Sequence, residues 1–281
     1  MAHATFPPSS SDKWLNCFGW YRATKDLPRS GSSLEAEEGT VAHSALELML
    51  RFDLEAGHAV SLALLDSPFQ SFGADKTNDM IAGVGLAYDY VISLSTEGYD
   101  YLPELSLEWG SFFGRKYAKS SGNARGDRDI PQFFRELTGT ADVGLVRDDE
   151  LIIVDLKYGR GKLVGAVNNT QMMTYQLGMA HRFGLREKYR NVIVQPRIRH
   201  PDGPIREHAF TKTELLAHAV RVEDAIHRNR LETQPRKAGS HCTWCAAAPT
   251  CKEYALNAIS IATGGQVARG ARRSPAQDFA D

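Results

Sequence analysis

The chain has 281 residues, 42% of them hydrophobic and 24% charged, the balance of a globular protein with room for one large domain or two small ones. Its 33 Lys and Arg stand against 34 Asp and Glu, so the summed charge gives no general pull toward nucleic acid, although a carboxylate metal site can offset a basic groove within such a total. No apolar run approaches the roughly 18 residues that span a bilayer, and the N-terminus lacks a basic stretch followed by an apolar one, so the expectation is a cytoplasmic protein without membrane attachment.

In chain order, residues 1–10 and 264–281 are rich in Pro, Ser, Gly and Ala without periodicity, and are expected to be flexible. Capped by Ser10 or Ser11, "DKWLNCFGWYRATKDL" predicts a short helix with Cys17 on its middle turns, closed off by Pro28. "LEAEEGTVAHSALELMLRFDLEAG" predicts a longer one, with Ala42, Leu46, Met49 and Leu50 at helical spacing and His43 and Glu47 together on one face. A third follows in "NDMIAGVGLAYDYVISL", through Met80, Val84, Tyr88 and Val91, so that residues 11–100 form an N-terminal helical region.

The period then changes. "ELSLEWGSF", "GTADVGLV" and "LIIVDLKYG" read as strands, the last two joined by a polar turn at Arg147–Glu150. "NNTQMMTYQLGMAHRFG" is a helix with Met172, Tyr175, Met179 and Phe183 in one stripe; "NVIVQPRI" and "REHAFT" are strands, and Thr211–Glu214 fits a capping box opening a helix to about Arg228. Residues 101–232 therefore predict an α/β core with a mixed central sheet flanked by helices, followed by a cysteine-rich segment at 233–263. The polar stretch 114–137 is expected to be a mobile loop touching substrate. The basic runs Gly114–Lys119 and Arg186–Arg190 are either groove components or solvated faces.

Two constellations carry chemistry. Asp155 and Lys157 alternate on one strand and so share a face, and Asp142 comes from the neighbouring strand. Two carboxylates there suit Mg²⁺ or Mn²⁺, and a lysine can orient water or offset charge building on a phosphate, which is phosphodiester hydrolysis chemistry. An exposed ion pair accounts for Asp-x-Lys more cheaply, but Asp155 directly follows the apolar run Leu151–Val154, where a charge needs compensation. The second constellation is Cys242, Cys245 and Cys251, one thiolate short of a closed four-ligand site, with Cys17 as the only other cysteine. In a reducing compartment these are metal ligands or inert buried thiols rather than disulfides.

Asp142 with Asp155-Leu156-Lys157 resembles the signature of the PD-(D/E)XK nuclease superfamily, and "QMMTY" is similar to the Q-x3-Y motif of its RecB-like branch, in which "GTVAH" supplies His43 as a metal-binding histidine. The likeness runs from about Lys13 to Tyr254 and extends to phage and prophage RecB-like proteins, to the AddB nuclease domain and to the CRISPR-associated RecB-like nuclease. The family's proline before the first aspartate is here Ala141.

The resemblance implies a restriction-endonuclease-like core and a metal-dependent DNA nuclease, an exonuclease or a single-strand or end-dependent enzyme, in DNA recombination, repair or phage DNA metabolism. His43, Asp142, Asp155 and the Leu156 carbonyl would hold Mg²⁺ or Mn²⁺, Lys157 would position water, Gln171 would orient Lys157 or a phosphate, and Tyr175 would meet the DNA. A further acidic residue is expected at Glu108, with Glu104 as its rival. Cys17 ahead of the motifs and Cys242, Cys245 and Cys251 behind them match a one-plus-three layout for a [4Fe-4S] cluster that staples the N-terminal helix to the C-terminal segment; structural Zn²⁺ is the alternative. DNA is the implied partner, with a phage recombination or annealing protein beside it. The competing reading is a non-catalytic DNA-binding or assembly protein that keeps the fold and the cluster.

Overall fold

The computed structural model describes residues 5–28, 33–113 and 137–263. It divides into two compact units, Met1–Ser11 with Ser30–Arg221, and Asp12–Arg29 with Val222–Asp281. The helices are α1 (Ser11–Asn16), α2 (Trp20–Thr24), α3 (Leu34–Phe52), α4 (Ala56–Leu65), α5 (Ala74–Thr96), α6 (Thr170–Phe183), α7 (Lys212–Arg230) and α8 (Lys252–Ala262). Five strands, β1 (Asp100–Glu108), β2 (Thr138–Val146), β3 (Glu150–Leu156), β4 (Lys188–Val194) and β5 (Ile205–Thr211), pair in sequence order in one sheet. Only β3 and β4 are parallel; α6 is the crossover such a pair requires. Among the described residues no helix is long and apolar enough to cross a membrane.

In the larger unit α3 starts where Ser33 accepts the Ala36 N–H, and it stops at Phe52 because Asp53 turns left-handed, with φ 54°. The predicted helix through Gly57 therefore ends five residues early, and α4, which starts at Ala56, is an element the periodicity missed. Ala42, Leu46, Met49 and Leu50 are buried as expected, in one core with α4, α5 and Val143, Leu145, Ile152 and Val154 of the sheet. On α5 Met80, Val84 and Val91 are buried, whereas Tyr88 is half-buried and donates its hydroxyl to Asp53. At the N-terminus Phe6 and Pro8 are buried, so residues 5–10 are packed rather than loose; the expected flexible tail and the 114–136 part of the substrate loop lie outside the described residues.

β1 begins and ends four residues earlier than the alternation at 104–112 predicts. Pro103 reads as a strand breaker, but β1 is the edge of the sheet, where a missing N–H costs no ladder bond on the outer side. At the other end, Thr211 and Glu214 form the predicted capping box, the Glu214 carboxylate accepting the Thr211 N–H at 2.7 Å. α6 lies close to the sheet at Gly144, where an added Cβ would come within 2.6 Å of Leu105 and 3.1 Å of Met179. Gly144→Val should therefore cost about 1–3 kcal/mol in chemical denaturation, while Gly85→Ala, in open space on α5, should be neutral or stabilising.

In the smaller unit Asn229 is fully buried, its amide donating to the carbonyls of Trp14 and Ala225 and its oxygen accepting the Tyr21 N–H. α1 and α2 are thereby tied to α7. Each polar group stranded by Asn229→Leu should cost about 1–3 kcal/mol, read as a lowered denaturation midpoint. The predicted single helix over this stretch is broken: Cys17 sits in the turn between α1 and α2.

Candidate active site

The ladder between β2 and β3 runs from Val146 opposite Leu151 to Val143 opposite Val154. Continued by one step, that register sets Asp142 opposite Asp155. Between β1 and β2, Pro103 faces Val143 and Leu105 faces Ala141, which sets Glu104 opposite Asp142. Residues opposite one another in antiparallel strands share a face. Glu104, Asp142 and Asp155 thus form one row of carboxylates across three strands. Glu104 has φ 45°, a left-handed conformation that costs a non-glycine residue free energy and that concentrates at functional sites. The expected acid was Glu108; it lies at the far end of β1, opposite Thr138, and bonds Ser111. The register delivers Glu104, the expected rival, in place of Glu108.

Asp142 closes the ladder with its side chain: its Oδ2 accepts the Leu156 N–H at 2.7 Å. From α3, His43 reaches the same peptide, its Nε2 2.6 Å from the Leu156 carbonyl and 3.3 Å from Asp142 Oδ2. Asp155 is buried, with Oδ1 accepting from Gln171 Nε2 at 3.1 Å and Oδ2 2.6 Å from the Lys157 ammonium. Beyond that ion pair Oδ2 has no hydrogen-bond partner. Gln171 holds Asp155, where Lys157 or a phosphate was expected as its partner, and Tyr175 is buried within reach of Gln171.

The electrostatics follow from this crowding. Burial alone would raise Asp142, but the His43 and Lys157 charges and the Leu156 N–H outweigh it and hold the carboxyl below its usual range. Burial and the Asp142 charge raise Asp155 despite Lys157. Burial, Asp142 and Glu47 push Glu104 up to about 7, and His43, desolvated yet facing Asp142, is raised to about 9. A row of carboxylates with displaced pKa values, faced by two cationic side chains, is an environment short of positive charge. Asp155 Oδ2, the Leu156 carbonyl and Asp142 are oxygen donors of the kind a Mg²⁺ or Mn²⁺ ion would take, with the His43 imidazole a softer nitrogen donor beside them. As they stand, the groups neutralise one another: among the described residues no three His, Cys, Asp or Glu side chains are arranged to hold a metal ion. Cation binding therefore requires the His43–Asp142 and Lys157–Asp155 pairs to open.

The basic run Arg186–Arg190 does not border this site. The parallel register places Lys188 beside Glu150, at the opposite end of β3 from Asp155, and there Lys188 pairs with Asp149 and Arg190 with Glu150 and Glu207. The other basic run, Gly114–Lys119, lies outside the described residues.

All four cysteines are free thiols of the smaller unit. Cys17 accepts the Lys237 N–H, and burial pushes its thiol up, with Cys242 and Cys245 adding to the shift. Cys242 ends the short 3-10 turn Ser240–Cys242, Cys245 donates its N–H back to the Cys242 carbonyl, and Cys251 is the N-cap of α8. Cys17 and Cys242 are buried, and the other two are half-buried.

A family model described as "Protein of unknown function (DUF2800)" matches residues 3–107 and 127–271, which takes in both units. The chain belongs to the DUF2800 family. The matched span of this DUF2800 member includes His43, Glu104, the Asp142–Lys157 hairpin, Gln171 and all four cysteines. It is also similar to a solved structure titled "Crystal structure of SSO0001", at 15% identity and a TM-score of 0.32, over 84% of this chain and 95% of that one.

Proposed function

We propose that this DUF2800 protein is a Mg²⁺- or Mn²⁺-dependent deoxyribonuclease with a RecB-like PD-(D/E)XK core, acting on single strands or DNA ends. The observation that carries the reading is the row Glu104, Asp142 and Asp155 with Lys157 and His43 set against it. Asp142, Asp155, His43 and the Leu156 carbonyl would hold the cation, with Glu104 the further acid. When bound there, a divalent ion would supply Lewis-acid stabilisation of the phosphate and would make water a competent nucleophile near neutral pH. Lys157, freed from Asp155, binds a non-bridging phosphate oxygen or orients the attacking water. Gln171 fixes the Asp155 carboxylate, and Tyr175 fills the space behind Gln171.

We further propose that Cys17, Cys242, Cys245 and Cys251 hold a [4Fe-4S] cluster joining the N-terminal turn to the C-terminal segment. The burial of Cys17 with Cys242 and Cys245 near enough to raise its thiol speaks for this, as does the chemistry of four thiolates; among the described residues the thiols are not yet arranged to hold a metal ion, and Zn²⁺ is the alternative occupant. Anaerobic purification with a visible spectrum and metal analysis decides between iron, zinc and bare thiols. For the nuclease, the test is cleavage of end-labelled single- and double-stranded DNA in Mg²⁺, Mn²⁺ or EDTA. Cleavage that survives EDTA, or DNA binding without cleavage in either metal, overturns it; the second outcome returns the chain to a non-catalytic DNA-binding protein.

A further inference from the structure

The segment Tyr158–Asn169 joins β3 to α6, so it borders the proposed cleavage site: Lys157 precedes it and Gln171 follows it. It has no regular structure, yet it is held firmly. Buried Gln195 donates to the Lys162 carbonyl at 2.8 Å and accepts the Val164 N–H at 3.1 Å. Buried Arg206 donates to the Val164 carbonyl at 2.9 Å and to Gln195 itself, and Asn169 holds the Gly165 carbonyl. Two buried polar side chains are thus devoted to fixing the shape of an exposed loop.

What the loop presents is its backbone. From Gly159 to Leu163 none of the N–H groups donates to the rest of the described chain. Gly159, Gly161 and Gly165 are exposed, an added Cβ at any of them would meet nothing within 4 Å, and none has a positive φ. Neither backbone conformation nor internal packing calls for glycine there, unlike Gly144. A remaining physical reason is close approach of something outside the chain. Arg160 and Lys162 alternate with these glycines and are exposed. Arg160 is engaged with Asp79, with both side chains more than half exposed, a pairing weak enough to exchange for a phosphate.

We propose that Gly159–Gly165 is a rigid phosphate-binding loop that grips the sugar-phosphate backbone of a single DNA strand next to the scissile bond. The proposal rests on the nuclease reading and names the part of the substrate this loop reads. The free N–H groups donate to phosphate oxygens, the glycines let the strand come into contact, and Arg160 and Lys162 neutralise adjacent phosphates. Because backbone and charge do the work, base identity is not read.

The test measures binding of a fluorescent single-stranded DNA oligonucleotide by anisotropy in EDTA, where metal-dependent hydrolysis cannot run, with cleavage in Mn²⁺ assayed in parallel. Replacing Gly159, Gly161 and Gly165 together by alanine should weaken binding about tenfold or more with Tm unchanged or raised, since alanine fits the free loop. Arg160→Gln with Lys162→Gln should lower the slope of log affinity against log salt by about 1.4, at ~0.7 for each single-strand phosphate left without its cation. Undiminished affinity and slope in both variants, with the wild type binding and cleaving, overturns the loop assignment and leaves the nuclease reading standing. A wild type that neither binds nor cleaves overturns both.

Discussion

Asp155→Asn should abolish metal-dependent cleavage, lowering the rate by on the order of 10³-fold or more, because several kcal/mol of transition-state stabilisation depend on the charge held there. The substitution keeps the Oδ1 acceptor for Gln171 and removes the charge that faces Lys157, so the fold should survive, which circular dichroism and the denaturation midpoint would check. The companion pair is more discriminating. Glu104→Gln should reduce cleavage, since Glu104 shares the row with Asp142, whereas Glu108→Gln, at the far end of β1, should leave it unchanged. Equal activity of all three variants with the wild type would remove the carboxylate row from the chemistry altogether.

The second large effect is acid lability centred on His218. This α7 residue is buried, with its Nε2 3.1 Å from the Thr174 hydroxyl. Thr174 already donates to the Thr170 carbonyl, so it accepts from His218, which fixes the tautomer with the proton on Nε2. Nδ1 is then a buried acceptor with no partner among the described residues, and protonating it would bury an unpaired charge near Arg221. Burial first, and Arg221 second, depress this histidine from 6.5 to about 3. A depressed folded-state value means the contribution to stability is complete above the unfolded pKa and is lost as pH falls. The window is therefore from about pH 6.5 down to 3, and at ~1.4 kcal/mol per unit the loss approaches ~5 kcal/mol. His218→Leu, which leaves the Thr174 hydroxyl bonded to Thr170, should flatten the stability curve across that window; an unchanged difference between pH 7 and pH 4 would contradict the assignment.

Much of this was legible in the residues because periodicity is a local property. The apolar stripe of α3, the β2–β3 hairpin, the α6 crossover and the capping box of α7 all follow from spacing and turn chemistry within one element. What sequence reading missed depends on pairing between elements. Glu104 and Glu108 are equally plausible acids until the register of β1 on β2 is fixed, and Pro103 disguised where β1 begins. Gln171 was expected to orient Lys157 or a phosphate, and the helix offset presents its amide to Asp155. The left-handed Asp53, which ends α3, carries no glycine signal, so the predicted helix runs five residues past the observed end. The run Arg186–Arg190 was left open between a groove component and a solvated face because its partners Asp149, Glu150 and Glu207 are distant in sequence or on other strands.

The role of Leu156 has a consequence for how such a protein responds to mutational scanning. Its N–H is bonded to Asp142 and its carbonyl to His43, while its side chain is wholly buried in the core. Replacing that side chain leaves both peptide groups in place, so a scan would score the position by stability alone and file it with the interior leucines. On the Leu156 side both hydrogen bonds belong to the main chain, and of the two the one from His43 joins α3 to this hairpin. From residue 156 itself they are reached by a change to the backbone, such as an ester in place of the amide, which deletes the donor to Asp142 and leaves the leucine untouched.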